Sequence, residues 1–158
     1  MNSVVIDTNP LVYIYNGVSD FGKNYAVLLD NLSRKYNLVI PKVVYGELSL
    51  MFDSKTQLDI FLADTEIEIK EIPSSCYIEA AKRWQKYNKR RILMCHNCGE
   101  NIGDIFCKKC DSIIQIRQHI PADFLIGAFA YGMKRKNVVT SDKGYYSTYF
   151  PELKIISL

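Results

Sequence analysis

Ser3-Val4-Val5-Ile6-Asp7-Thr8-Asn9-Pro10 places a run of apolar residues directly before a carboxylate and a helix start. Three apolar residues in a row, two of them Val, read as a short strand buried on both faces rather than half-exposed. Asn9 is expected to cap the next helix, because Pro10 fits a first helical turn and Asn accepts from free N–H groups. The stretch therefore reads as strand, acid, helix, the opening of an α/β unit.

The same alternation continues along the chain. Helical spacing follows over 11–16 and 24–36, and Leu38-Val39-Ile40 is a second buried strand, closed by Pro41. Helices are expected over 44–51 and 55–63. Ile67, Ile69 and Ile72 mark a strand region before Pro73, and Ser74 or Ser75 caps a helix through Tyr77, Ala80, Ala81, Trp84 and Tyr87. After the cysteines come a helix over 122–133, a strand at 137–140, a turn or short helix at 143–149 and a last strand at 153–156. Strands alternating with helices predict an α/β fold with a short, mainly parallel sheet. At 158 residues, 1–158 is expected to form a single domain, with 92–115 as an inserted module.

Composition narrows the class. Hydrophobic residues make up 48% and charged residues 23%, as in a globular protein. The apolar runs fall far short of the roughly 20 residues of a membrane span, so no membrane partner is expected. The N-terminus has no basic start and meets Asp7 early, unlike a secretory signal. The cytoplasm is the expected compartment. The net charge is only +3, but Lys82, Arg83, Lys86, Lys89, Arg90 and Arg91 crowd ahead of the cysteines. They read either as solvated helix ends or as a polyanion-facing surface.

Ligands of such sheets collect beyond the carboxyl ends of the strands. Asp7 ends the first strand and Asp142 follows the strand near Thr140. Glu47 lies on the helix after the second strand, and Asp123 falls in the first turn of the helix opened by Pro121. Taken alone, Asp7, Asp123 and Asp142 also fit cap, first-turn or turn acids, and Glu47 an exposed helix residue. Together, clustered carboxylates need shared protons or hard cations. Oxygen ligands suit Mg²⁺ or Mn²⁺, which can activate water and neutralise a phosphate.

VVIDTN, YGEL, PADFLIGAFA and VVTSDKGYY, in this order, resemble the PIN-domain nucleases. The resemblance covers almost the whole chain outside the cysteine segment. It implies a three-layer α/β/α sandwich that cleaves RNA with Mg²⁺ or Mn²⁺ held by Asp7, Glu47, Asp123 and Asp142. Asn9 matches a small polar position near the first acid, and Thr140 or Ser141 the polar position before the last. The implied reaction is in-line attack of water on a phosphodiester, leaving a 5′-phosphate. Two settings fit it: a toxin silenced by an antitoxin protein, or processing of a ribosomal precursor. The family also suggests a homodimer.

Cys95-His96-Asn97-Cys98 and Cys107-Lys108-Lys109-Cys110 form two CxxC pairs separated by eight residues. Two such knuckles complete a closed, structural S₄ zinc site, with Gly99 allowing the sharp turn. Ligand type alone also admits an iron–sulfur cluster. Cys76 reads as a buried small hydrophobe, and His96 as solvent-facing. Lys89, Arg90, Arg91, Lys108 and Lys109 are expected to face RNA phosphates, and Arg117 to contact a phosphate through its planar fork. His119 is expected to pack or face solvent rather than touch substrate. The competing readings are a non-catalytic RNA-binding or interaction module with degenerate acids, and a thiol–disulfide enzyme.

Overall fold

The computed structural model describes residues 2–17, 19–90, 93–95, 97–114 and 119–158. In chain order the elements are β1 (Ser3–Ile6), α1 (Thr8–Tyr15), α2 (Ser19–Ser33), β2 (Asn37–Pro41), α3 (Lys42–Leu48) and α4 (Lys55–Asp64). Then come β3 (Glu68–Lys70), α5 (Ser74–Arg90), α6 (Pro121–Gly132), β4 (Asn137–Val139), α7 (Lys143–Tyr149) and β5 (Lys154–Ile156). The five strands form one parallel sheet in the order β3-β2-β1-β4-β5. Among the described residues no helix is long and apolar enough to cross a membrane.

β1 is the centre of this sheet, as its composition requires. Val4, Val5 and Ile6 are all fully buried, so both faces of the strand are covered by helices. The chain runs outward from β1 through β2 to β3, then returns to add β4 and β5 on the other side. The strand order thus reverses between β1 and β4. That reversal opens a crevice at the carboxyl ends of these two strands, the usual ligand position in open α/β sheets. Val5 and Ile6 are in register with Val138 and Val139, and Asp7 N–H donates to the Val139 carbonyl at 2.9 Å. The ends of the two strands are therefore tied together where both acids emerge.

Two local expectations are corrected. The first helix starts at Thr8, and its cap is Asp7, not Asn9: Asp7 has extended backbone angles and accepts from the Thr8 N–H. Asn9 is instead an exposed residue of the first turn. The second helix starts at Ser19, five residues earlier than its apolar spacing indicates, and includes Gly22. A Cβ on Gly22 would lie 2.4 Å from the Tyr13 carbonyl oxygen, so glycine here allows α1 and α2 to pack in close contact.

Each CxxC pair forms the same turn. Gly99 N–H donates to the Cys95 carbonyl, and Asp111 N–H to the Cys107 carbonyl, both at 2.8 Å. Cys95 N–H reaches the Glu100 carbonyl and Cys107 N–H the Ser112 carbonyl, again at 2.8 Å. Gly99 and Asp111, at equivalent positions, both have positive φ, 76° and 57°. Two copies of one knuckle are built. His96 lies outside the described residues. Cys76 is buried, as its place on a helix face suggested.

Candidate metal-binding acid pocket

Four acids from separate elements line one pocket of about 210 Å³. Asp7 comes from the end of β1, Glu47 from α3, Asp123 from the start of α6 and Asp142 from the start of α7. Thr8, Asn9, His119, Tyr145 and Tyr146 complete the lining. Three of the acids also do local work. Asp7 caps α1, Asp142 accepts from Tyr145 N–H at 3.0 Å at the head of α7, and Asp123 accepts from Ile120 N–H at 2.7 Å at the head of α6. Capping and pocket lining are thus not competing roles here. Three helix N-termini meet at the pocket, and each carries a partial positive charge that favours carboxylates.

Hydroxyls set the remaining orientation. Thr140 is fully buried; its hydroxyl donates to Asp7 Oδ2 at 2.6 Å and accepts from Asp142 N–H at 3.0 Å. Thr8 donates its hydroxyl to Glu47 Oε2. Burial raises Asp7 from 3.8 to about 7, against the opposing Thr140 and Thr8 hydrogen bonds and with added repulsion from Asp123 and Glu47. Burial likewise raises Glu47, against its Thr8 bond and with help from Asp123. Asp7, Glu47 and Asp123 form no ion pair with Lys or Arg among the described residues.

His119 lies deeper than its sequence position implied. It is 5% exposed and stacks on Tyr145 with ring centroids 4.1 Å apart. It packs, as expected, but its Nδ1 also stands 3.7 Å from Asp123 Oδ2 and 4.0 Å from Asp142 Oδ2. Tyr145 has a buried hydroxyl with no hydrogen-bond partner among the described residues. Burial, then the nearby carboxylates, push both Tyr145 and Tyr146 well above the usual phenol range, so both stay neutral donors. Thr8 and the two tyrosines lie inside the VVIDTN and VVTSDKGYY stretches with no role assigned to them there, and His119 had no sequence signal beyond its nearness to Asp123.

The chemistry of this donor set fits a hard cation. It offers carboxylate oxygens, crowded like charges and an unpaired buried hydroxyl that a bound water can satisfy. The present side-chain arrangement is not a finished coordination shell. Among the described residues, no group of three or more His, Cys, Asp or Glu side chains is disposed to hold a metal ion. That statement applies equally to the four cysteines. Within each pair the thiols do interact: backbone N–H groups of Cys98 and Asn97 and the Cys98 thiol lower Cys95, and Ser112 and Cys107 lower Cys110.

The other predicted contact residues lie apart. Ser141 is half-buried beside Asp142. Lys89 lines a separate groove with Lys82 and Lys86 of α5, while Lys108 and Lys109 are exposed on the second knuckle. Arg83, by contrast, is buried and held by Glu79 and Glu152. Arg91, Arg117 and the side chain of Arg90 lie outside the described residues.

Solved structures share this arrangement of elements. VapBC2 from Rickettsia felis, bound to a DNA fragment from its promoter, aligns with a TM-score of 0.61 at 18% identity, covering 98% of this chain and 97% of that one. DNA-bound VapBC from Salmonella typhimurium aligns with a TM-score of 0.54 at 16% identity, covering 99% and 98%. No curated protein sequence matches the chain at a significant level. The PIN domain family model matches residues 4–151, nearly the whole chain and all four acids, and the protein belongs to the PIN-domain family.

Proposed function

We propose that the protein is a metal-dependent endoribonuclease whose catalytic acids are Asp7, Glu47, Asp123 and Asp142. The observation that carries this reading is the meeting of the four carboxylates at the β1/β4 reversal, with Asp7 held at about 7 by burial. These four residues would hold Mg²⁺ or Mn²⁺. Such an ion, when bound, supplies an activated water and neutralises charge on the scissile phosphate. Around it, Thr140 and Thr8 fix Asp7 and Glu47, while the buried rings of Tyr145 and His119 exclude bulk water from one side.

Length-spanning likeness to the VapBC structures favours a toxin setting, in which an antitoxin protein covers the acid pocket in the cytoplasm. The paired knuckles support a structural zinc held by Cys95, Cys98, Cys107 and Cys110, and the lysines beside them suit an RNA backbone. The expected result is Mn²⁺-dependent cleavage of RNA that leaves new 5′-phosphate ends. Asp7→Asn and Asp123→Asn should abolish cleavage and keep one zinc per chain by elemental analysis. Cys98→Ser and Cys110→Ser should lose the zinc while Mn²⁺ still binds by calorimetry. Undiminished cleavage by both Asp→Asn proteins would falsify the assignment.

A further inference from the structure

The acid pocket, at about 210 Å³, is smaller than the roughly 300–1,000 Å³ of sites that enclose a small organic ligand. It has room for a phosphate and its ion, not for a whole nucleotide. A second groove of about 450 Å³ opens beside it and shares Asn9 and Asp142 with it. One wall is aromatic: Tyr13 of α1 and Phe21 of α2, with ring centroids 6.2 Å apart. Phe21 is 57% exposed, so its ring is accessible from the groove. Lys143 also lines the groove, and its ammonium donates to the Leu158 carbonyl at 2.7 Å. Asn97, from the turn of the first cysteine knuckle, lines it as well.

We propose that this groove is the subsite for one unpaired nucleotide flanking the scissile phosphate, its base stacked on Phe21. The inference rests on the nuclease reading above and adds where the substrate's base sits: it must be unpaired there, since a base in a duplex has no free face to offer. An aromatic ring accepts any base, because every base has a π-face. Lys143 offers a point charge to the adjoining phosphate, and Asn97 offers both donors and an acceptor to a base edge. The knuckle segment is therefore one wall of the substrate path and not a remote appendage. It is held there by close backbone contact: a Cβ on Gly144 would lie 2.8 Å from the Cys95 carbonyl oxygen and 3.0 Å from Gly99.

The test combines abasic substitution with mutation. A labelled single-stranded RNA containing one cut site is prepared with an abasic nucleotide at each position around it in turn. Its binding is followed by anisotropy and its cleavage by gel. With the native protein, one position next to the cut should weaken binding about tenfold when its base is missing, the scale of one aromatic stack. In Phe21→Ala the intact RNA should bind about tenfold more weakly, kcat should hold, and the abasic penalty at that position should vanish. Phe21→Trp should restore both. Phe21 is exposed, so loss of folding does not confuse the result. An abasic penalty of equal size in native and Phe21→Ala proteins overturns the subsite, even where cleavage itself is observed. Coupled loss of binding with no cleavage by any protein supports the subsite and sinks the nuclease assignment. If the groove seats a protein segment instead, RNA binding is identical in all variants, and the proposal fails.

Discussion

Thr140 donates its hydroxyl to Asp7 Oδ2 at 2.6 Å across 133 residues of sequence, and the Thr140 hydroxyl oxygen accepts from the Asp142 backbone N–H. One buried hydroxyl thus ties together the acids at the ends of the two strands where the sheet reverses. Its bond favours the ionised form of Asp7, opposing the larger effect of burial. Thr140→Val keeps the shape and removes that bond. Asp7 then ionises at still higher pH than about 7. At sub-saturating Mn²⁺, where a proton competes with the ion for the Asp7 carboxylate, the acid limb of the pH–rate profile for RNA cleavage should move to higher pH, by up to about one unit, for a bond of roughly 1.5 kcal/mol to a charged group. Thr140→Ser should keep the native profile. A Thr140→Val profile unchanged in position would show that Asp7 ionisation does not limit the reaction.

Asp7 also makes the folded chain pay for its site. Its folded value of about 7 stands above its unfolded value of 3.8, so the folded chain holds the proton more tightly. The associated stability is fully present below about pH 4 and is lost as pH rises through about 7. Without divalent ions, Asp7→Asn should therefore be more stable than the native chain at pH 8, with a ceiling of about 4 kcal/mol. The two proteins should converge at pH 4. Urea denaturation in EDTA at both pH values measures the gap. A gap that is the same at pH 4 and pH 8 would contradict the burial of a titrating Asp7.

Gly144 sits at the second position of α7, where alanine would ordinarily strengthen the helix by about 1 kcal/mol. Its missing Cβ is filled by the backbone of the first knuckle. Backbone cannot swing aside as a flexible side chain does, so Gly144→Ala should cost about 1–3 kcal/mol, as over-packing does. It should also speed the reaction of Cys95, which is half-buried in the docked turn, with thiol reagents. A rise in melting temperature, the outcome that helix propensity alone dictates, would mean that the knuckle is not docked on α7.

Much of this was legible before any tertiary structure. Val4-Val5-Ile6 announces a strand buried on both faces, and its helix-flanked, parallel setting follows from the alternation of elements. Asp7, Asp123 and Asp142 were legible as strand-end or first-turn residues and Glu47 as a residue of the helix after the second strand, and their order matched the family that the chain belongs to. The start of α2 was not legible, because Gly22 ordinarily weakens a helix, and only the approach of Tyr13 explains its presence there. The cap of α1 was misread for a related reason. Asn9 and Asp7 are both good caps, and only the position of β1's last hydrogen bond decides between them.

His119 marks the limit of sequence reading most clearly. A histidine four residues before an acid has no distinguishing local pattern. Its place between Tyr145, Tyr87, Asp123 and Asp142 comes from the packing of α5, α6 and α7. The groove beside the acids is of the same kind, since Tyr13, Phe21, Asn97 and Lys143 are scattered over 131 positions. Sequence by itself determined the elements, the acids and the paired knuckles, because these depend on periodicity and short spacings. Tertiary structure alone decided which acid is desolvated, which hydroxyl holds it and which surface continues from the pocket, because burial and proximity between distant segments exist only once the sheet has closed around β1.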